Sequence, residues 1–251
     1  MPISSSHFEN SRSILNDSIT QTWAAANEPI DKDEWILYPS EVNAAYMPPY
    51  NEILFPAGIL QPPFFHGDLP SVINYGAFGS VAGHEVSHGF DNSGRTYDAD
   101  GKLFDWWGDD TEAEYNRRID CFKNQFNNIT ITVPGATQPY RVNGTLTLGE
   151  NIADSAGVVA SFEAWQKRRR EHPNEGAMGL PGLEGVFTDE QMFFVAFGNM
   201  WCTKTTPQGI LRFEDRVHPP GDARILGTVA NSRAFREAFG CKVKEPTCQL
   251  F

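Results

Sequence analysis

Several things are scarce in this 251-residue chain, and each scarcity removes a class of function. Basic residues are few: 20 Lys and Arg stand against 32 Asp and Glu, for a formal net charge of −12. Nucleic-acid binding needs a basic footprint, so no nucleic-acid partner is expected. No run of about 18 apolar residues occurs, so no helical membrane span is expected. The opening stretch, MPISSSHFENSRS, has neither the basic start nor the apolar core of a signal peptide. The four cysteines (Cys121, Cys202, Cys241, Cys248) are too sparse for a disulfide scaffold. No Cys-x-x-Cys is present to build a zinc knuckle. Internal repeats and low-complexity tracts are missing as well.

What is present reads as one globular chain with a helical bias. Apolar positions at Phe8, Ile14, Leu15, Ile19 and Trp23 fit one amphipathic helix, which places a helical segment in residues 1–30 and the main domain in 31–251. VNAAY and EILFPAGI flank a Pro-Pro-Tyr-Asn turn and read as a hairpin. From about Val72 to Phe90 the chain is apolar and rich in small residues, as a buried helix requires. Helices are expected near 110–127, from GENIAD to His172-Pro173, and after Thr188, a natural N-cap. Between them, residues 128–147 read as irregular or short-stranded, and PNEGAMGLPGLEG (173–185) as a surface loop. RVHPPGDARI reads as a loop, followed by a short helix, NSRAFREAFG, closed by Gly240.

The residues that carry chemistry lie in VAGHEVSHGFD, residues 81–91. His84 and His88 stand one helical turn apart, so both imidazoles can point at one ion. Glu85 is rotated off that pair and can take a proton from zinc-bound water, whose pKa the metal lowers towards neutrality. A third ligand must come from elsewhere. A metzincin would continue with Gly at position 91 and His at position 94; Asp91 and Gly94 close that route. TLGENIADSAG supplies the alternative, a glutamate on a second helix. Glu150 can bind zinc while Asp154, four residues on, accepts the second ring N–H of a ligand histidine. Each of these residues has a blander reading, a core histidine or a solvated helix face, and it is their joint presence that favours the metal.

HEVSHGFD followed by GENIAD resembles the neprilysin and endothelin-converting enzyme family of zinc endopeptidases. VNAAY, FPAGILQPPFF, GRTYDADGKLFDWW, the stretch around Trp201-Cys202, and VHPPGDARILG follow the same family pattern in order. The resemblance implies an α+β, mostly helical, thermolysin-like (gluzincin) catalytic lobe with a small β-sheet beside the HExxH helix. It implies one zinc per chain on His84, His88 and Glu150, and hydrolysis of oligopeptides on the amino side of hydrophobic residues. Glu85 would be the base that activates water, Asp154 would orient His84, and His218 would stabilise the developing oxyanion. Asn43 and Ala44 would hold the substrate backbone as an added strand, and Arg224 would bind a substrate carbonyl. Phe64, Val81 and Trp201 would wall the pocket for the residue after the cut; packing alone is the simpler role for each.

Family members are much longer, so a preceding N-terminal lobe that closes the cleft is expected in the full-length protein. The family pairs the cysteines matching Cys121 and Cys248, and pairs those matching Cys202 and Cys241 with the other lobe, which leaves two orphan thiols here. An extracellular or cell-surface ectoenzyme follows by the same resemblance, and the sequons at Asn16, Asn128 and Asn143 fit a glycoprotein. The competing expectation is a catalytically incomplete fragment, or a zinc-binding domain that holds peptides without cutting them.

Overall fold

The computed structural model describes residues 3–173, 182–183, 185–243 and 247–250, and the chain divides into two compact units, residues 1–36 and 37–251. The first unit is built on one helix, α1 (His7–Ala25), which starts where the Ser6 hydroxyl accepts the Glu9 N–H at 3.3 Å. The five apolar positions read from the sequence fall on this helix, yet none of its residues is buried.

The second unit begins with a hairpin. Strands β1 (Ala45–Met47) and β2 (Glu52–Leu54) pair antiparallel, with Ala45 opposite Leu54 and Met47 opposite Glu52. Asn51 turns the corner at φ 50°, a left-handed conformation that asparagine tolerates. Both arms are shorter than the sequence implied. Pro48 ends the first, and Pro56 follows soon after the second; proline has no N–H for the ladder.

The apolar stretch after residue 70 is not one uniform helix. It runs as α2 (Ser71–Asn74), a π-helical turn (Tyr75–Gly79) and α3 (Ser80–His88). The Ser161 hydroxyl donates to the Tyr75 carbonyl at 2.7 Å and so satisfies an acceptor at the widened turn. Helix α4 (Asp109–Asn127) opens with Asp109, Asp110 and Glu112, which suit the positive end of the helix dipole. Two short strands, β3 (Thr130–Ile131) and β4 (Tyr140–Arg141), form a second ribbon.

Helix α5 (Leu148–Glu171) is the central strut. Its first part joins Leu148 and Ile152 to a core with Phe122 and Phe126 of α4 and Ala223. Further along, Val158 and Trp165 enter a second core with Phe193 and Phe197. Glu150 therefore lies within the span of the first cluster and Asp154 between the two, on a stretch buried on several faces. Such a helix shows little amphipathic contrast, which is why α5 is legible from its motif more than from its periodicity.

Helix α6 (Asp189–Met200) carries a full capping box, with Thr188 and Gln191 bonded reciprocally. Three short helices follow: α7 (Pro207–Leu211), α8 (Gly221–Asn231) and α9 (Arg233–Phe239), the last closed by Gly240 at φ 63°. One expectation is corrected here. RVHPPGDARI is a loop only as far as Pro220; Gly221 begins α8, so Arg224 sits on a helix and its position is fixed by that helix. Pro219 and Pro220 hid this start, although proline just before a helix is a natural boundary. Most of the expected 173–185 loop lies outside the described residues.

Cys121 and Cys248 form a disulfide that ties α4 to the C-terminal segment, while Cys202 and Cys241 are free and exposed. The fold is thus mostly helical with two small ribbons, and β1 lies beside α3. Among the described residues, no helix is long and apolar enough to cross a membrane.

Candidate metal centre and active-site cleft

The centre depends on how closely α3 and α5 approach. Gly83 and Gly157 meet at their crossing, backbone against backbone. A Cβ on Gly83 would stand 2.5 Å from the Gly157 carbonyl oxygen, and a Cβ on Gly157 would strike the backbone of His84. Only glycine permits this spacing, which brings Glu150 of α5 across to the histidines of α3.

His84 and His88 face one another on α3 with rings 4.5 Å apart and Nε2 atoms 2.9 Å apart. Glu150 Oε2 lies 3.4 Å from His84 Nε2, and Oε1 lies 3.7 Å from His88 Nε2. One ligand atom from each of the three residues lies within 4.8 Å of the other two. Two observations say that this set fits a metal. Glu150 Oε2 is buried and has no hydrogen-bond partner of good geometry, although three side-chain nitrogens stand within 3.3–3.7 Å. The two facing Nε2 atoms can share only one proton between them. Two imidazoles and a carboxylate are a donor set that zinc accepts.

Each histidine is held from behind by a carboxylate. His84 Nδ1 is 2.9 Å from Asp154 Oδ1, and His88 Nδ1 is 2.6 Å from Asp91 Oδ2. Both rings are thereby fixed with Nε2 turned inward. Asp91 is the residue that sequence reasoning missed; it served there only to exclude a metzincin. The signal was local: Asp91 follows His88 by three, and its Oδ1 accepts the Ser93 and Gly94 N–H groups at 2.7 Å, an Asx turn that Asp-x-Ser-Gly encodes.

Asp154 is almost fully buried, and burial alone would favour its neutral form. The Arg224 guanidinium overcomes this, donating from Nε at 2.7 Å and Nη2 at 2.6 Å, and holds the carboxyl well below its usual range. Burial also opposes a charge on His84, yet its bonds to Asp154 and Glu150 prevail and lift its pKa to about 9. A metal would displace that proton, so binding here is coupled to proton release. Glu150 is likewise disfavoured by burial but held below the usual carboxylate range by His84, Arg224 and His218.

Glu85 is buried beside the two histidines, and burial raises its pKa against the pull of both imidazoles and the Tyr46 backbone N–H from β1. A carboxylate tuned upward is suited to accept a proton near neutral pH. His218 stands on the loop before α8, about half exposed, with Nε2 3.3 Å from Glu150 Oε2. Burial, Arg224 and His84 together lower its pKa, so it is neutral at pH 7 and carries one N–H to donate.

All twelve residues singled out in the sequence border one cavity of about 520 Å³. His84, Glu85, His88, Glu150, Asp154 and Arg224 form its polar floor. Phe64, Val81 and Trp201 supply an apolar wall, extended by Ile59, Phe197 and Met200. Asn43 and Ala44 lie at the rim, directly before β1. A larger cavity of about 870 Å³ lies behind α5, between Val86, Val159 and Phe162. It contains none of the histidine cluster, so the chemistry belongs to the smaller one.

Residues 43–249 match the profile of peptidase family M13. The chain is 43% identical to neprilysin-11 of Caenorhabditis elegans over 223 residues, which is 87% of this chain and 25% of that protein. It is 39% identical to human neprilysin over 237 residues, 94% of this chain and 31% of that protein. Among solved structures, a zinc metalloprotease of Mycobacterium tuberculosis in complex with an inhibitor superposes with a TM-score of 0.78 at 38% identity, covering 88% of this chain and 33% of that one. The chain therefore spans a quarter to a third of the length of these relatives.

Proposed function

This chain belongs to peptidase family M13, and on that footing we propose that it is the catalytic part of a zinc metalloendopeptidase. We place the catalytic domain in residues 31–251, of which 37–251 form the second compact unit, and take the substrate to be oligopeptides, cut on the amino side of a hydrophobic residue. The observation that carries the reading is the convergence of His84, His88 and Glu150 with a buried Glu150 oxygen that makes no well-formed hydrogen bond within the protein.

His84, His88 and Glu150 would hold one zinc ion per chain, and when bound that ion would supply Lewis acidity for the scissile carbonyl and for water. The protein does the rest. Glu85 accepts the proton of the attacking water at its carboxylate and delivers it to the departing amine. His218 donates its N–H to the oxygen on which charge develops. Asp154 and Asp91 keep the two imidazoles in the ligating tautomer. Asn43 and Ala44 present main-chain groups to the substrate as an added strand, and Phe64, Val81 and Trp201 receive the hydrophobic side chain after the cut. Arg224 reaches a substrate carbonyl through whatever donor capacity Asp154 leaves it. An extracellular or cell-surface setting is supported by the Cys121–Cys248 disulfide and by the sequons at Asn16, Asn128 and Asn143.

The experiment is cleavage of a short quenched peptide with Phe or Leu after the scissile bond, with and without chelator. Cleavage that chelator abolishes and zinc restores is the expected result. Zinc bound at one per chain without any cleavage would overturn hydrolysis by this chain and leave a metal-holding, peptide-binding domain.

A further inference from the structure

Trp201 borders the cavity as part of its apolar wall, but its ring also faces something else. The Arg224 Cζ lies 3.9 Å from the centroid of the Trp201 ring. The three other such contacts among the described residues span 5.1–5.6 Å. Arg224 is buried, so its charge is largely desolvated, the condition under which a cation over an aromatic face is held most strongly. One edge of the guanidinium is spent on Asp154, and Nη2 also stands 3.7 Å from Glu150 Oε2. Those contacts fix the guanidinium within its plane; the indole fixes the plane itself.

The fold brings the two residues together where α6 ends and α8 begins. Trp201 closes α6, and Gly221, the first residue of α8, passes so near that a Cβ there would stand 2.9 Å from the Trp201 carbonyl oxygen. Arg224, one helical turn later, then lies over the ring. Trp201 Nε1 is buried and has no hydrogen-bond partner, so the indole offers its face and not its N–H.

We infer that Trp201 is a positioning residue: its ring is the platform that holds Arg224 against Asp154 and Glu150. Because the same ring walls the cavity, a side chain seated there bears on the shell of the metal ligands. The inference rests on the zinc-peptidase reading above. It separates from a simple wall by one chemical distinction. A wall needs apolar bulk, whereas a platform needs a ring face.

The test compares Trp201→Leu, which keeps apolar bulk, with Trp201→Phe, which keeps a ring. Zinc affinity is measured by chelator competition, and kcat and KM on a peptide with Phe after the scissile bond. Trp201→Leu is expected to weaken zinc roughly tenfold, as loss of outer support does. It is also expected to lower kcat by about tenfold. Trp201→Phe is expected to recover most of both. Equal zinc affinities and equal kcat in the two variants, with only KM changed, would overturn the platform. Trp201→Met serves as a second ring-free variant if Trp201→Leu does not fold. Zinc affinity is read without turnover. If the parent binds zinc but cuts no peptide, the endopeptidase reading falls, while the ranking of zinc affinities still decides the role of Trp201.

Discussion

Glu85→Gln is expected to lower kcat for peptide cleavage by about 10²–10⁴-fold, the range of a lost general base, while zinc stays bound at one per chain. The carboxamide has the same shape as the carboxylate and its oxygen can still accept the Tyr46 backbone N–H. What it loses is the capacity to take a proton. Glu85 lies beside the histidines in the cleft without belonging to the three-residue ligand set, so the metal should not register the change. Initial rates on a quenched peptide, with zinc content measured on the same sample, check both halves. A variant that cuts as fast as the parent would remove Glu85 from the mechanism.

Glu150→Val is the second large effect, and it acts on the metal itself. Losing an outer partner of a ligand already costs about 10–100-fold in metal affinity, so losing the ligand should exceed about 100-fold. Of the three-residue ligand set, only the two histidines remain. Arg224 and His218, which look towards Glu150 from 3.7 Å and 3.3 Å, would lose the carboxylate they face, while Arg224 keeps its pairing with Asp154. Chelator competition measures the affinity directly. Thermal unfolding gives a second view: zinc should raise the midpoint of the parent by linkage and leave that of Glu150→Val unmoved. A variant that binds zinc like the parent would mean that the third ligand lies elsewhere.

Much of this centre was legible because its information is local. His84 and His88 share a helix, as do Glu150 and Asp154, and a spacing of four states the shared face without any tertiary knowledge. Capping was equally local, as Thr188 and Gly240 illustrate. Contacts across the fold were not legible. The π-helical turn is tied to Ser161, 86 residues from the carbonyl it serves. Arg224 reads as a loop residue in its own neighbourhood, and only the crossing of α8 with α5 makes it the counter-ion of Asp154, 70 residues away. The Gly83–Gly157 crossing is invisible for the same reason; either glycine alone reads as a mild helix breaker. Asp91 falls between these cases. Its bond to His88 is local, but it lies outside the HExxH and Glu-x-x-x-Asp spacings that mark the other site residues.

The most direct test of the centre is zinc K-edge EXAFS on the zinc-loaded chain. Ligation by His84, His88 and Glu150 predicts imidazole nitrogens at about 2.0–2.1 Å, a carboxylate oxygen at about 2.0–2.2 Å and no sulfur shell. A shell at about 2.3 Å would mean sulfur ligation. It would have to come from the free thiols of Cys202 or Cys241, and it would contradict the centre described above.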